Sequence, residues 1–166
     1  MRYEEARAFI QTGDVIAVRE KHGFLSPFTR FFTHSEYTHN GLAVWVNGGL
    51  WMAELNGGRN HMIPLSQLAE IPFDVYHCPV EDRDAVETAI SESLRERIDY
   101  GFAALAVIGI LNFFRIKVFL HARQILVCTG YCVKVLEAAG WQEHSRLISP
   151  QELTEELRYK LSVRPY

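Results

Sequence analysis

Apolar and polar positions change period several times along the chain, and each change marks an element. In residues 3–11, Tyr3, Ala6, Phe9 and Ile10 recur at helical spacing and predict a short amphipathic helix. "GDVIAVRE", from Gly13 to Glu20, is a β-type run behind a Gly-Asp turn. "SPFTRFFTHS" begins with Ser26 and Pro27, an N-cap residue followed by a first-turn proline, and predicts a helix. "THNGLAVWVNGGLWMAEL" places two β-rich runs around Asn47-Gly48-Gly49, a strong hairpin signal. "IPLSQL" reads as a connection and "PFDVYHCPV" as a further strand. Val86, Ile90 and Leu94 mark a helix from Asp84 to Arg97, and residues 102–111 read as a buried helix. Residues 118–127 are ambiguous between strand and loop. A helix over 129–139 ends at Gly140, and "SPQELTEELR" repeats the Ser-Pro start with a glutamate in its first turn. Strands and helices fall in blocks rather than strict βαβ alternation, which predicts an α+β fold.

A chain of 166 residues that is 48% hydrophobic suits one domain, residues 1–166, with a sizeable core. A net charge of -3 argues against nucleic acid as the main partner, because phosphate binders carry an excess of Lys and Arg. The N-terminus is charged and amphipathic and lacks the apolar core of a signal peptide. The apolar run 102–114 would rise only ~20 Å as a helix, too short to span a bilayer. A cytoplasmic protein is therefore expected, with contact to a membrane surface as a lesser possibility. Three cysteines (Cys78, Cys128 and Cys132) form no paired disulfide framework, which fits a reducing compartment.

The chemistry concentrates in "LVCTGYCVKVLEAAG", residues 126–140. Cys128 stands where an apolar run meets a helix start, and a helix N-terminus favours thiolate over thiol. From Tyr100 to Leu136 there is no Asp or Glu, whereas Arg115, Lys117, Arg123 and Lys134 all lie there. From position alone Cys128 is either a small buried hydrophobe or an activated nucleophile. Cys132 follows one turn later with C-x3-C spacing, which fits neither a redox C-x-x-C motif nor a zinc site. Core packing is its expected role, and no metal or cofactor is expected.

A thiolate enzyme needs a proton carrier. Of seven histidines, His39 alone opens an apolar strand with a glycine close behind, in "THNGLAVWV"; the alternative is a plain surface histidine. Glu54 on the next strand could orient its ring. If Gly48-Gly49 form the turn, Ala43 pairs with Glu54, and His39 and Glu54 share a face but stand ~13 Å out of register. Glu54 then needs a wider loop or a bulge near residues 45–49 to reach His39. Asn56, opposite Gly41 in that register, is the second candidate.

In this order the pieces resemble the circularly permuted papain-like cysteine hydrolases, the NlpC-type superfamily in its YiiX-like form. "GDVIAVRE" is similar to that family's first strand, and "FLSPFTRFFTHSEYTHNGLAVWV" to its helix and Thr-His strand. "WMAELNGGRNHMIPLSQL" resembles its Glu-bearing strand, "IDYGFAALAVIGILNFF" the segment before the nucleophile, "CTGYCVKVLEAAG" the nucleophile helix, and "ISPQELTEEL" the closing helix. The likeness spans most of residues 13–157. It implies a permuted papain-like fold, an antiparallel sheet packed with helices. It also implies Cys128 as nucleophile, His39 as general base and Glu54 as orienting residue, with no cofactor. Position 130 is Gly, where the family often has a polar residue.

The implied activity is hydrolysis of an amide bond in a cell-wall-type peptide, through an acyl-enzyme. Two alternatives belong beside it: a lipid acyl hydrolase or acyltransferase with the same triad, and a non-catalytic binding module. The expected partner is a peptide or amphiphilic small molecule. Arg115, Lys117 and Arg123 are the candidates for drawing in a substrate carboxylate or phosphate.

Overall fold

In the computed structural model, residues 1–19, 36–56, 59–96, 128–142 and 149–165 are described. Their strands are β1 (Val15–Val18), β2 (His39–Val46), β3 (Gly49–Asn56), β4 (Arg59–Pro64), β5 (Phe73–His77) and β6 (Arg158–Val163). Their α-helices are α1 (Tyr3–Ala6), α2 (Arg83–Ser93), α3 (Cys128–Ala138) and α4 (Pro150–Glu156). The strands form one sheet in the order β4-β3-β2-β1-β5-β6, with every neighbouring pair antiparallel. An α+β fold follows.

Period-2 alternation sends the two faces of the sheet into two cores. On one face, Val15, Leu42, Val44, Ala53 and Leu55 pack with Val86 and Ile90 of α2, Cys132, Val135 and Leu136 of α3, and Leu153 of α4. On the other, Ile16, Val18, Ala43, Met52, Phe73 and Val75 pack with Tyr3, Ala6 and Ile10 and with Leu65 and Leu68 of a 3-10 turn. Phe9 leaves its expected face: the helix tightens to 3-10 over Arg7–Phe9, and the phenyl ring is 56% exposed. Leu94 also falls outside, because α2 ends at Ser93. The helices expected at residues 26–35 and 102–111 lie outside the described residues.

Helix α3 is stopped by Gly140, with φ at +91°. Trp141 N–H donates to the Leu136 carbonyl at 3.0 Å and Gly140 N–H to that of Glu137 at 3.0 Å, which closes a Schellman motif. A Cβ at Gly140 would meet nothing within 4 Å, so its cost is backbone strain alone. We expect Gly140→Ala to lower unfolding free energy by about 1 kcal/mol in a denaturant titration, with the site unaffected. At the start of α4, Ser149 and Glu152 form a reciprocal capping box.

Candidate active site

The hairpin turn decides which residues meet His39. It is made by Asn47 and Gly48, both with positive φ (50° and 75°), so Val46 pairs with Gly49 and Ala43 with Met52. This is one residue earlier than the expected Gly48-Gly49 turn, and no wider loop is needed. Carrying the register onward sets Glu54 beside Gly41, one diagonal step from His39 rather than two. Carried the same way, Asn56 would fall opposite His39 itself, but pairing stops at Leu42 and Ala53, and the His39 ring meets Glu54 instead. His39 Nε2 lies 2.7 Å from Glu54 Oε2, while Asn56 Nδ2 donates to Glu54 Oε1 at 3.4 Å.

His39 is fixed as the first residue of β2, opposite Val18. Thr38 anchors it there by donating its N–H (2.9 Å) and its hydroxyl (3.3 Å) to the Val18 carbonyl. Paired residues of β2 and β3 end at Leu42 and Ala53, although β2 runs back to His39 and β3 on to Asn56. Cys128 meets the strands at this opening. It is the first residue of α3 and is buried, and the Asn40 backbone N–H donates to its sulfur. Its sulfur is also hydrogen-bonded by the His39 side chain. With Nε2 committed to Glu54, the nitrogen left for sulfur is Nδ1.

The electrostatics make a coupled pair. Burial alone would push the Cys128 thiol up, but the charge and hydrogen bond of His39, the Asn40 N–H and the Thr129 hydroxyl outweigh it, and the thiol falls below its ordinary value. Burial would likewise lower His39, but the Cys128 sulfur and Glu54 raise it to about 10. Burial raises Glu54 too, and is outweighed by His39, Asn56 and His61, so the carboxyl stays below its usual range. The shifts run toward a thiolate facing an imidazolium, backed by a carboxylate.

The other thiols lack this environment. Cys132 is fully buried one turn along α3, and burial first, then the neighbouring Cys128 and Glu54, drive its thiol well above the ordinary value. Burial pushes Cys78 up to about 12. Arg115, Lys117 and Arg123 lie outside the described residues.

Sequence reasoning misses His61, whose Nε2 lies 2.9 Å from Glu54 Oε1. The signal is nonetheless there. "NGGR" after Glu54 is a second tight-turn motif, and pairing Asn56 with Arg59 across it sets Glu54 opposite His61, as observed.

No family model matches the chain, and no curated protein matches it. Among solved structures it is similar to the crystal structure of metalloprotein YiiX from Escherichia coli O157:H7, a DUF1105 protein. The TM-score is 0.68 and the identity 18%, over 94% of this chain and 99% of that one. The chain therefore has a YiiX-like fold. YiiX is named a metalloprotein, which raises the question of whether these residues fit a metal. Among the described residues, no group of three or more His, Cys, Asp or Glu side chains is arranged to hold an ion. Around Glu54 the reason is plain. Both His39 nitrogens are engaged, by Glu54 and by Cys128, and both His61 nitrogens face oxygens of Glu54 and Arg59. No metal step follows from this site. Among the described residues, no helix is long and apolar enough to cross a membrane.

Proposed function

We propose that this chain is a thiol hydrolase that opens an amide bond through an acyl-enzyme on Cys128. The observation that carries the reading is the chain of contacts from the Cys128 sulfur through the His39 ring to Glu54, with the thiol lowered and the imidazole raised. A buried cysteine of purely structural use would behave as Cys132 and Cys78 do.

The reaction balances with these groups alone. The Cys128 thiolate adds to the acyl carbon, and the carbonyl oxygen takes the negative charge. Backbone N–H groups at the start of a helix have no partner within it, and those of α3 are the donors this reading assigns to that charge. The C–N bond then breaks as His39 gives its proton to the leaving amine, leaving a thioester. Water adds to the thioester, His39 takes its proton, and the C–S bond breaks to release the acid and restore the thiolate–imidazolium pair. Glu54 holds the ring with Nδ1 toward sulfur throughout, and stabilises the imidazolium. The superfamily that the sequence resembles acts on cell-wall peptides, and we take a peptide amide of that type as the substrate.

Intact-mass spectrometry after mixing with muropeptide-type peptides tests the proposal. We expect release of an amine product and an acyl adduct on Cys128 that decays with turnover. An adduct formed only from lipid esters would move the substrate class and keep the chemistry. No adduct from either, together with an ordinary alkylation profile for Cys128, would leave a binding module.

A further inference from the structure

Glu54 is 5% exposed at its side chain and is shared by two imidazoles. His39 on β2 takes Oε2, and His61, directly across from Glu54 on β4, takes Oε1. His61 Nδ1 lies 3.2 Å from the Arg59 carbonyl oxygen of its own strand. A lone pair on Nε2 would face the carboxylate, so Nε2 carries a proton and His61 donates to Glu54. Of its two ring contacts, the shorter is the one to Glu54. At 40% side-chain exposure His61 also stands on the solvent side of a carboxylate that is otherwise enclosed.

We infer that His61 is a positioning residue acting through Glu54: it holds Oε1 so that Oε2 stays on His39 Nε2 and the ring keeps its other nitrogen toward Cys128. The need for it is geometric. A carboxylate on a free glutamate side chain has several rotamers, and Asn56 alone contacts Oε1 at a long 3.4 Å. The cross-strand pair Glu54–His61 supplies the shorter contact, and strand pairing fixes its position. Among the described residues, the charged and titratable groups facing Glu54 are His39 from β2, His61 from β4 and, from α3, Cys132 and, beyond His39, Cys128. The inference rests on the thiol-hydrolase reading for its consequence, but not for its geometry.

Two readouts on the full chain separate the inference from that reading. In proton NMR the His39 Nε2–H, held against Glu54, gives a downfield signal. His61→Ala should broaden or remove it, and His61→Gln, whose side-chain amide can still donate to Oε1, should keep it. The second readout is iodoacetamide alkylation of Cys128 across pH. His61→Ala should cut the rate at neutral pH about tenfold and move the profile toward higher pH, and His61→Gln should restore most of it. A wild-type-like His39 signal and alkylation profile in His61→Ala would overturn the inference, as would His61→Gln behaving like His61→Ala. A wild-type Cys128 that alkylates like an ordinary thiol would sink the hydrolase reading instead, while the NMR signal would still decide whether His61 positions Glu54.

Discussion

Cys128→Ala is expected to abolish amide hydrolysis, by roughly 10,000-fold or more, while Cys132→Ala keeps most of the wild-type rate. The first change removes the atom that attacks, and what remains is binding and oxyanion stabilisation alone. The second removes a sulfur from a fully buried core position beside Tyr131, Val135 and Leu136, with a cost in stability rather than in chemistry. The two residues are one turn apart on the same helix, so the pair controls for damage to α3. The assay is product release by wild type and both variants, with melting curves alongside. Loss of activity in both variants at unchanged stability would point to a joint use of the sulfurs and against a single nucleophile.

The contrast between these cysteines is legible in the sequence, because it depends on where each stands relative to a helix start. The hairpin is legible too, since Asn-Gly-Gly between β-rich runs specifies a tight turn. Its register is not. Asn47-Gly48 and Gly48-Gly49 both make acceptable turns from their residues alone, and choosing between them moves Glu54 by a full diagonal step. Asn47 adopts the positive φ that a type I′ turn requires, and that brings Glu54 to one diagonal step from His39, close enough to bond its ring.

Two strands escape a sequence reading for a different reason. β4, "RNHMIP", is an edge strand of mixed polarity in which no residue is fully buried, so it carries little periodic signal. β6, "RYKLSV", follows α4 after a single residue, with no glycine or proline to mark the break. Only Leu161 and Val163 of its residues turn into the core. His61 is lost along with β4, because a residue gains a role at the site only once its strand has a register. By contrast α3 is legible almost to the residue: its stop needs a glycine that tolerates positive φ, and Gly140 is one.

The pH dependence of the site follows from the signs of its shifts, and it should separate His39 from Glu54. The reactive form needs Cys128 ionised and His39 protonated. Cys128 is ionised above its lowered value and His39 is protonated below about 10, so the rate should rise to a plateau between the two and fall again near 10. The acid limb should fall below the range of an ordinary thiol, whose value is about 8.5, and the alkaline limb should lie near 10. Because the two groups are coupled, each limb belongs to the pair. In His39→Ala the charge and hydrogen bond that lower the thiol are gone while burial remains. The Asn40 N–H and the Thr129 hydroxyl stay, so alkylation of Cys128 should move to higher pH than in wild type, and turnover should drop by between roughly 100- and 10,000-fold. Glu54→Ala leaves both partners but removes one of the groups that raise His39. Its alkaline limb should therefore move down toward neutrality and narrow the plateau, while the acid limb shifts little. A variant series in which His39→Ala alkylates at neutral pH as fast as wild type would mean that the imidazole does not sustain the thiolate, and the triad would have to be abandoned.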